Sequence, residues 1–289
     1  MIQPMMRREI QLEKQKLAYC ESAGRGPVIL LIHGNSCSGQ AYRAQLEGEL
    51  GQHYRLIAFD LPGHGDSDPM PRFEDYSMAG YARVLNQAVK ALSLHNPILV
   101  GWSLGGHIAL EMSLDSPGLK GLVIFGTPPL GFPPDMENAF LPVGEVGVGM
   151  QGEVSEEDAR TYARSFFGDS FLDNSRSPGG DHSEPLPILN EITLSILNTD
   201  PDARLGLGQN LGPDTYHDEV VLISALEVPL AIFHGVEEKL VNLDYIRGLS
   251  MPTLWRKQVQ LIEDAGHAPQ IENSQAFNSL LSEFAEGVL

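Results

Sequence analysis

Residues 98–110, ILVGWSLGGHIAL, pass from an apolar run into a helical pattern through a serine set between glycines. An unbroken apolar run suits a strand covered on both faces, as in a parallel sheet. Gly101-Trp102-Ser103-Leu104-Gly105 matches G-x-S-x-G. It stands after a predicted strand and before a predicted helix, which is the setting that motif needs. The reason is steric. The serine occupies a tight, strained turn, and side chains two residues to either side would clash, so glycines flank it. The helix that follows turns free N–H groups and the positive end of its dipole toward developing negative charge.

The same alternation extends outward. PVILLIHG (27–34), YRLIAFD (54–60), PILVGWS (97–103) and LKGLVIFG (119–126) read as strands. Between them, Met78, Tyr81, Ala82, Leu85, Val89 and Leu92 follow helical spacing, with Ser77 as N-cap. RREIQLEK and KLAYCES predict an N-terminal β-hairpin. The rhythm breaks after Phe125. From about Leu130 to Leu226 the chain has Pro/Gly clusters, TPPLGFPPD and SPGGDHSEPLP, and short helical pieces such as SEEDARTYARSFFG. It returns with VPLAIFHG (228–235) and VQLIEDAG (259–266), and Phe277, Leu280, Leu281 and Phe284 form the stripe of a last helix. The pattern predicts an α/β sheet domain from 1–129 and 226–289, with a mostly helical module inserted at 130–225. No internal repeat or low-complexity tract is present.

Composition narrows the partners. The 289 residues carry a net charge of −19 and are 42% hydrophobic, enough for a substantial core. An acidic surface repels phosphate backbones, which argues against nucleic acid and anionic membrane. It favours a neutral or cationic substrate. Cys20 and Cys37 imply no disulfide framework and are expected as reduced thiols. The start, MIQPMMRREI, lacks the apolar region of a signal peptide, and no apolar run reaches about 18 residues. A cytoplasmic protein with no membrane span is expected.

A serine nucleophile needs a base, and the base needs an orienting acid. Of nine histidines, His267 in EDAGHAP directly follows the last predicted strand. Parallel strands end at one rim, so His267 and Ser103 are expected there together. His33, His64, His107 and His234 compete: His33 and His234 end strands, and His107 lies inside the helix after the serine. The acid is expected in HGVEEKLVNLD (234–244), where Glu238 is the first choice and Glu237 and Asp244 stand behind it. The oxyanion hole would use the N–H of Leu104 and, from the loop HGNSCSG, that of Asn35. The Asn35 side chain could also hold a substrate oxygen.

Taken in order, IHGNSCSG, FDLPGHGDSD, VGWSLGGHIALEM and DAGHAP resemble the α/β-hydrolase superfamily along nearly all of the chain. More narrowly, IHGNS, QLEGEL, DLPGHGDS, YSMAGYA, GWSLGGHI, GTPP, TYARS and DAGHAP resemble the metal-independent N-acyl-homoserine lactonases of this fold. The resemblance implies that the insertion is a cap domain. It also implies a Ser–Glu–His triad that opens the lactone ring of bacterial quorum-sensing signals. It implies a cap tyrosine at the lactone, which TYARS places at Tyr162. With Asn35 and Trp102, Tyr162 is expected to bind a small neutral ester or lactone. The resemblance says least between Asp169 and Gly212. No cofactor and no metal are expected. The H-x-H run of two-metal lactonases does not occur, and the nucleophile is Ser103 rather than the Asp of epoxide hydrolases and dehalogenases.

His64, Asp66 and Asp68 in GHGDSD are expected to shape a tight loop rather than bind metal. Gly147-x-Gly149-x-x-Gly152 spells a dinucleotide fingerprint but follows no strand. Tyr162, Phe166, Phe167 and Phe171 fall near helical spacing, as a core stripe or as a wall for an acyl tail. Rival functions are a small-ester carboxylesterase and a non-catalytic ligand-binding protein on the same fold.

Overall fold

Among the described residues eight strands form one sheet: β1 (Met6–Gln11), β2 (Lys16–Glu21), β3 (Val28–Ile32), β4 (Arg55–Phe59), β5 (Ile98–Trp102), β6 (Gly121–Phe125), β7 (Leu230–Gly235) and β8 (Gln260–Ile262). They lie in the order β1-β2-β4-β3-β5-β6-β7-β8 in this computed structural model, which describes residues 4–173, 187–212 and 214–289. β1 and β2 are the expected antiparallel hairpin, and β2 meets β4 antiparallel. From β4 to β8 every neighbouring pair is parallel. The architecture is thus the expected α/β one.

β5, β6 and β7 are buried at every position, which is why they read as unbroken apolar runs. The helix Met78–Ala91 begins where Ser77 Oγ accepts the Gly80 N–H at 3.1 Å. The last helix, Ser274–Val288, sets Phe277 against Phe125 and Phe233, with ring centroids 4.9 and 5.6 Å apart. One element is shorter than its sequence suggests. The run 259–266 gives only a three-residue strand, because the chain then leaves the sheet in a turn with Asp264 at positive φ. That turn carries Glu263 and Asp264 into solvent and delivers His267 to the rim.

Between β6 and β7 the described elements are helices joined by loops, the longer ones at Glu156–Ser165, Pro187–Asn198 and Pro201–Gln209. Arg204 is buried there and donates to the carbonyls of Gln151 (3.0 Å), Gly152 (2.5 Å) and Ile196 (2.7 Å), fastening three segments together. The SPGGDHSEPLP stretch lies outside the described residues as far as 186. Among the described residues no helix is long and apolar enough to cross a membrane.

Candidate active site

The serine turn is built by contact between backbones. A Cβ on Gly101 would fall 2.2 Å from the Gly105 carbonyl oxygen, and one on Gly105 would fall 2.1 Å from that of Ile32. Only glycine lets the first helical turn press so closely on β3 and β5. Ser103 itself is held at φ 54°, ψ −121°, heading the helix Leu104–Ser113. Such a conformation costs about 1–3 kcal/mol and persists only where surroundings enforce it. They do so here: the Ser103 N–H donates to Phe125 O (2.9 Å), and Ser103 O accepts from Thr127 Oγ1 (2.8 Å).

His267 rests against the same turn after β6. Gly126, at φ 58°, lies so close that a Cβ would be 2.7 Å from His267 Cε1. Ser103 and the His267 imidazole therefore flank Phe125–Thr127 together. His267 Nδ1 donates to Glu238 Oε2 at 2.7 Å, with both side chains almost wholly buried. The other Glu238 oxygen accepts the Leu240 N–H at 2.8 Å. Burial would raise the Glu238 carboxyl, but the charge and hydrogen bond of His267 and the Leu240 N–H outweigh it and hold the carboxyl below its ordinary value. The other two candidate acids are turned elsewhere. Glu237 accepts from the Ser170 N–H at 2.7 Å, and Asp244 is exposed beside Arg247.

The competing histidines are engaged structurally. His33 Nδ1 contacts Gly34 O at 2.7 Å, and its Nε2 accepts the Leu61 N–H at 2.9 Å. His64 contacts Pro62 O, and burial drives it down to about 3. His234 is buried at the end of β7, and burial lowers it as well. In the GHGDSD loop, Asp66 pairs with Arg7 and Asp68 accepts the Lys16 N–H. Among the described residues no cluster of His, Cys, Asp and Glu could hold a metal ion.

The loop expected to supply an oxyanion donor follows β3. A Cβ on Gly34 would meet Ser103 Cβ at 3.2 Å, so this loop lies directly against Ser103. The Leu104 N–H is the first of the free donors at its helix start. The Asn35 side chain donates to Gly149 O at 2.5 Å and ties the inserted region to the loop. Gly149 is thus part of the site wall, not of a dinucleotide fold: Gly147 ends no strand, and the short helix Glu145–Val148 runs through the fingerprint.

A small cavity of about 70 Å³ opens beside the serine, lined among others by Asn35, Ser103, Leu104, His107, Gly149 and Tyr162. Tyr162 is in this wall, and burial pushes its hydroxyl well above the ordinary value. Trp102 is not. Its indole donates to His267 O at 2.7 Å and packs beneath the imidazole at 5.9 Å, because a buried indole N–H needs an acceptor. The aromatic stripe divides. Phe166 packs on Tyr162, Trp102 and His267, whereas Phe167 stacks on Phe171 away from the cavity. A larger groove of about 630 Å³, lined by Leu114, His217 and Val221 among others, contains none of these site residues.

One pairing has no counterpart in the sequence reading. His107 Nδ1 lies 2.8 and 2.9 Å from the two oxygens of buried Glu219, which also accepts the Leu130 N–H at 2.7 Å. His107 follows Ser103 by four residues and so shares its helix face, a legible signal for a cavity position. Nothing local marks Glu219.

An elbow serine, a buried His–Glu pair and a helical insertion on a mostly parallel sheet define a hydrolase of one architecture. The chain matches the alpha/beta hydrolase family over residues 29–280 and belongs to it. Among solved structures, a variant of the N-acyl homoserine lactonase AidH complexed with N-hexanoyl homoserine is 32% identical. It has a TM-score of 0.87, covering 98% of this chain and 97% of that one. A pimeloyl-[acyl-carrier protein] methyl ester esterase of Vibrio cholerae is 26% identical over 279 residues, 92% of this chain and 97% of the relative. A putative aryl esterase from Burkholderia cenocepacia shares the fold at 23% identity and TM-score 0.78, covering 98% and 99% of the two chains.

Proposed function

We propose that this protein is a serine hydrolase that opens the lactone ring of N-acyl homoserine lactones, with residues 130–225 as the cap over a core of 1–129 and 226–289. The single observation that carries the chemistry is the strained Ser103 sharing one turn with a His267 imidazole that Glu238 holds by Nδ1. The lactone preference is supported by the likeness to AidH along almost the whole of both chains. A cytoplasmic setting fits the two buried free cysteines.

In this reading His267 Nε2 takes the Ser103 hydroxyl proton as Oγ attacks the lactone carbonyl carbon. The carbonyl π pair moves to oxygen, where the N–H groups of Asn35 and Leu104 hold it. Glu238 fixes the imidazole tautomer and stabilises the imidazolium. Collapse breaks the ring C–O bond, and His267 gives its proton to the departing ring oxygen, which becomes a hydroxyl on the still-attached acyl group. Water then attacks the Ser103 ester while His267 accepts its proton. The serine leaves, is reprotonated, and releases the open-chain N-acyl homoserine. Asn35 and Tyr162 line the substrate pocket; Trp102 acts from behind, through His267.

Turnover of N-acyl homoserine lactones, followed by acid release in the presence and absence of chelator, tests the proposal. Ser103→Ala is expected to lose at least about 10³ in kcat with its thermal unfolding unchanged. Ring opening by that variant at the wild-type rate would end the covalent mechanism. A carboxylesterase acting on small open-chain esters is the second reading, favoured by the pimeloyl methyl ester esterase relatives. A higher kcat/KM for short aryl esters than for any acyl homoserine lactone would establish it instead. Absence of labelling by an active-site serine probe would favour a non-catalytic binder.

A further inference from the structure

The loops that carry Glu238 and His267 are both fastened to one short segment of the insertion, Phe166 to Ser170. On the acid side, Glu237 accepts the Ser170 N–H (2.7 Å) and its hydroxyl, and Lys239 donates to Asp169 Oδ1 (2.6 Å). On the base side, Glu272 divides its two oxygens. Oε1 accepts the N–H groups of Gly266 (2.9 Å) and Ala268 (3.1 Å), the residues on either side of His267. Oε2 accepts the Gly168 N–H at 2.6 Å. There is no slack between the two backbones: a Cβ on Gly266 would fall 2.6 Å from Gly168 N. The triad chemistry uses none of these contacts.

We propose that Glu272 is a positioning residue whose two oxygens join the His267 loop and the Gly168 segment into one unit, so that the seating of the cap and the aim of the imidazole are set together. This rests on reading Ser103, His267 and Glu238 as the triad. The cavity supplies the reason for such a device. Its volume of about 70 Å³ is far below the roughly 300–1,000 Å³ usual for small-molecule sites, so an acylated lactone requires the cap wall to yield. Phe166, in the same segment, packs against the His267 ring with centroids 5.7 Å apart and the planes tilted by 36°. A displaced segment therefore disturbs the ring, and reseating it restores the ring.

Two substitutions separate the halves of the clamp. Glu272→Gln keeps one carbonyl oxygen for the two amides beside His267 but turns an NH₂ toward the Gly168 N–H, so the tie through Gly168 is lost and only the backbone bond from Ala268 N–H to Phe166 O (3.1 Å) still joins the two segments. Glu272→Ala removes both ties. For a medium-chain acyl homoserine lactone, Glu272→Gln is expected to raise KM roughly ten-fold with kcat held within about three-fold. Glu272→Ala is expected to lower kcat roughly a hundred-fold as well. A contact that served folding alone would reduce the active fraction and leave KM unchanged, so titration of active sites accompanies the kinetics. Wild-type KM in folded Glu272→Gln overturns the inference. If Glu272→Ala does not fold, the KM of Glu272→Gln alone decides. Wild-type kinetics in both variants beside a dead Ser103→Ala would sink the clamp and spare the triad; an active Ser103→Ala would sink the triad.

Discussion

Replacing Glu238 by glutamine alters one oxygen and leaves the volume unchanged, yet it removes what directs the imidazole. The carboxylate can only accept, so it fixes the proton on His267 Nδ1 across a 2.7 Å hydrogen bond and leaves Nε2 free to act as base. An amide can donate to Nδ1 instead, which moves the ring proton to Nε2 and abolishes the base. It also removes the charge that stabilises the imidazolium. For two charges about 4 Å apart at an effective dielectric of about 20, that attraction is about 4 kcal/mol, or about three powers of ten in rate. With the tautomer lost as well, kcat is expected to fall by about 10³–10⁴ while KM changes little. The fold should persist, because a glutamine oxygen can still accept the Leu240 N–H. Single-turnover acid release with excess enzyme isolates the acylation step and is the assay of choice. A Glu238→Gln enzyme within ten-fold of wild type, with native unfolding behaviour, would refute the assignment of Glu238 as the orienting acid.

Gly105→Ala places a methyl 2.1 Å from the Ile32 carbonyl oxygen, a backbone atom that has no room to move. We expect a loss of about 1–3 kcal/mol in thermal or denaturant unfolding together with loss of turnover, and an unshifted midpoint would contradict the steric account of the turn. Glu272 gives a pH signature in stability. Burial, which the three N–H donors only partly offset and the Glu238 charge reinforces, lifts its carboxyl from 4.5 to about 7. Between those values the folded chain keeps a proton that the unfolded chain has released. The contribution of this group to stability therefore falls as pH rises through that window, by on the order of 3 kcal/mol. Denaturant midpoints from pH 4.5 to 7.5 should show this slope in the wild type and lose it in Glu272→Gln; parallel curves would disprove it.

Much of the framework is legible in the chain because it obeys local rules. β5, β6 and β7 announce themselves as apolar runs since both faces of each are covered, and Gly101 is needed by contact with Gly105 inside one strand–turn–helix unit, whereas Gly105 is needed by the Ile32 carbonyl of neighbouring β3. Ser77 caps its helix through an oxygen only three residues from the N–H it accepts. The brevity of β8 was not legible, because VQLIEDAG has the composition of a longer strand and the turn that ends it depends on where the chain must go next.

What the sequence by itself determined was therefore the kind of sheet, the glycine-flanked serine turn and the chain order of the candidate serine, glutamate and histidine. Only the tertiary structure decided which of two adjacent glutamates faces His267: Glu238 does, and Glu237 turns to Ser170 instead. It also decided that Trp102 supports the His267 loop rather than lining the cavity, and that His107 meets a glutamate 112 residues away. Local preferences act over a few residues, through backbone sterics and periodicity. Partners brought together across a hundred residues are selected by packing and by the need of buried polar groups for one another, and neither is written in any short stretch of the chain.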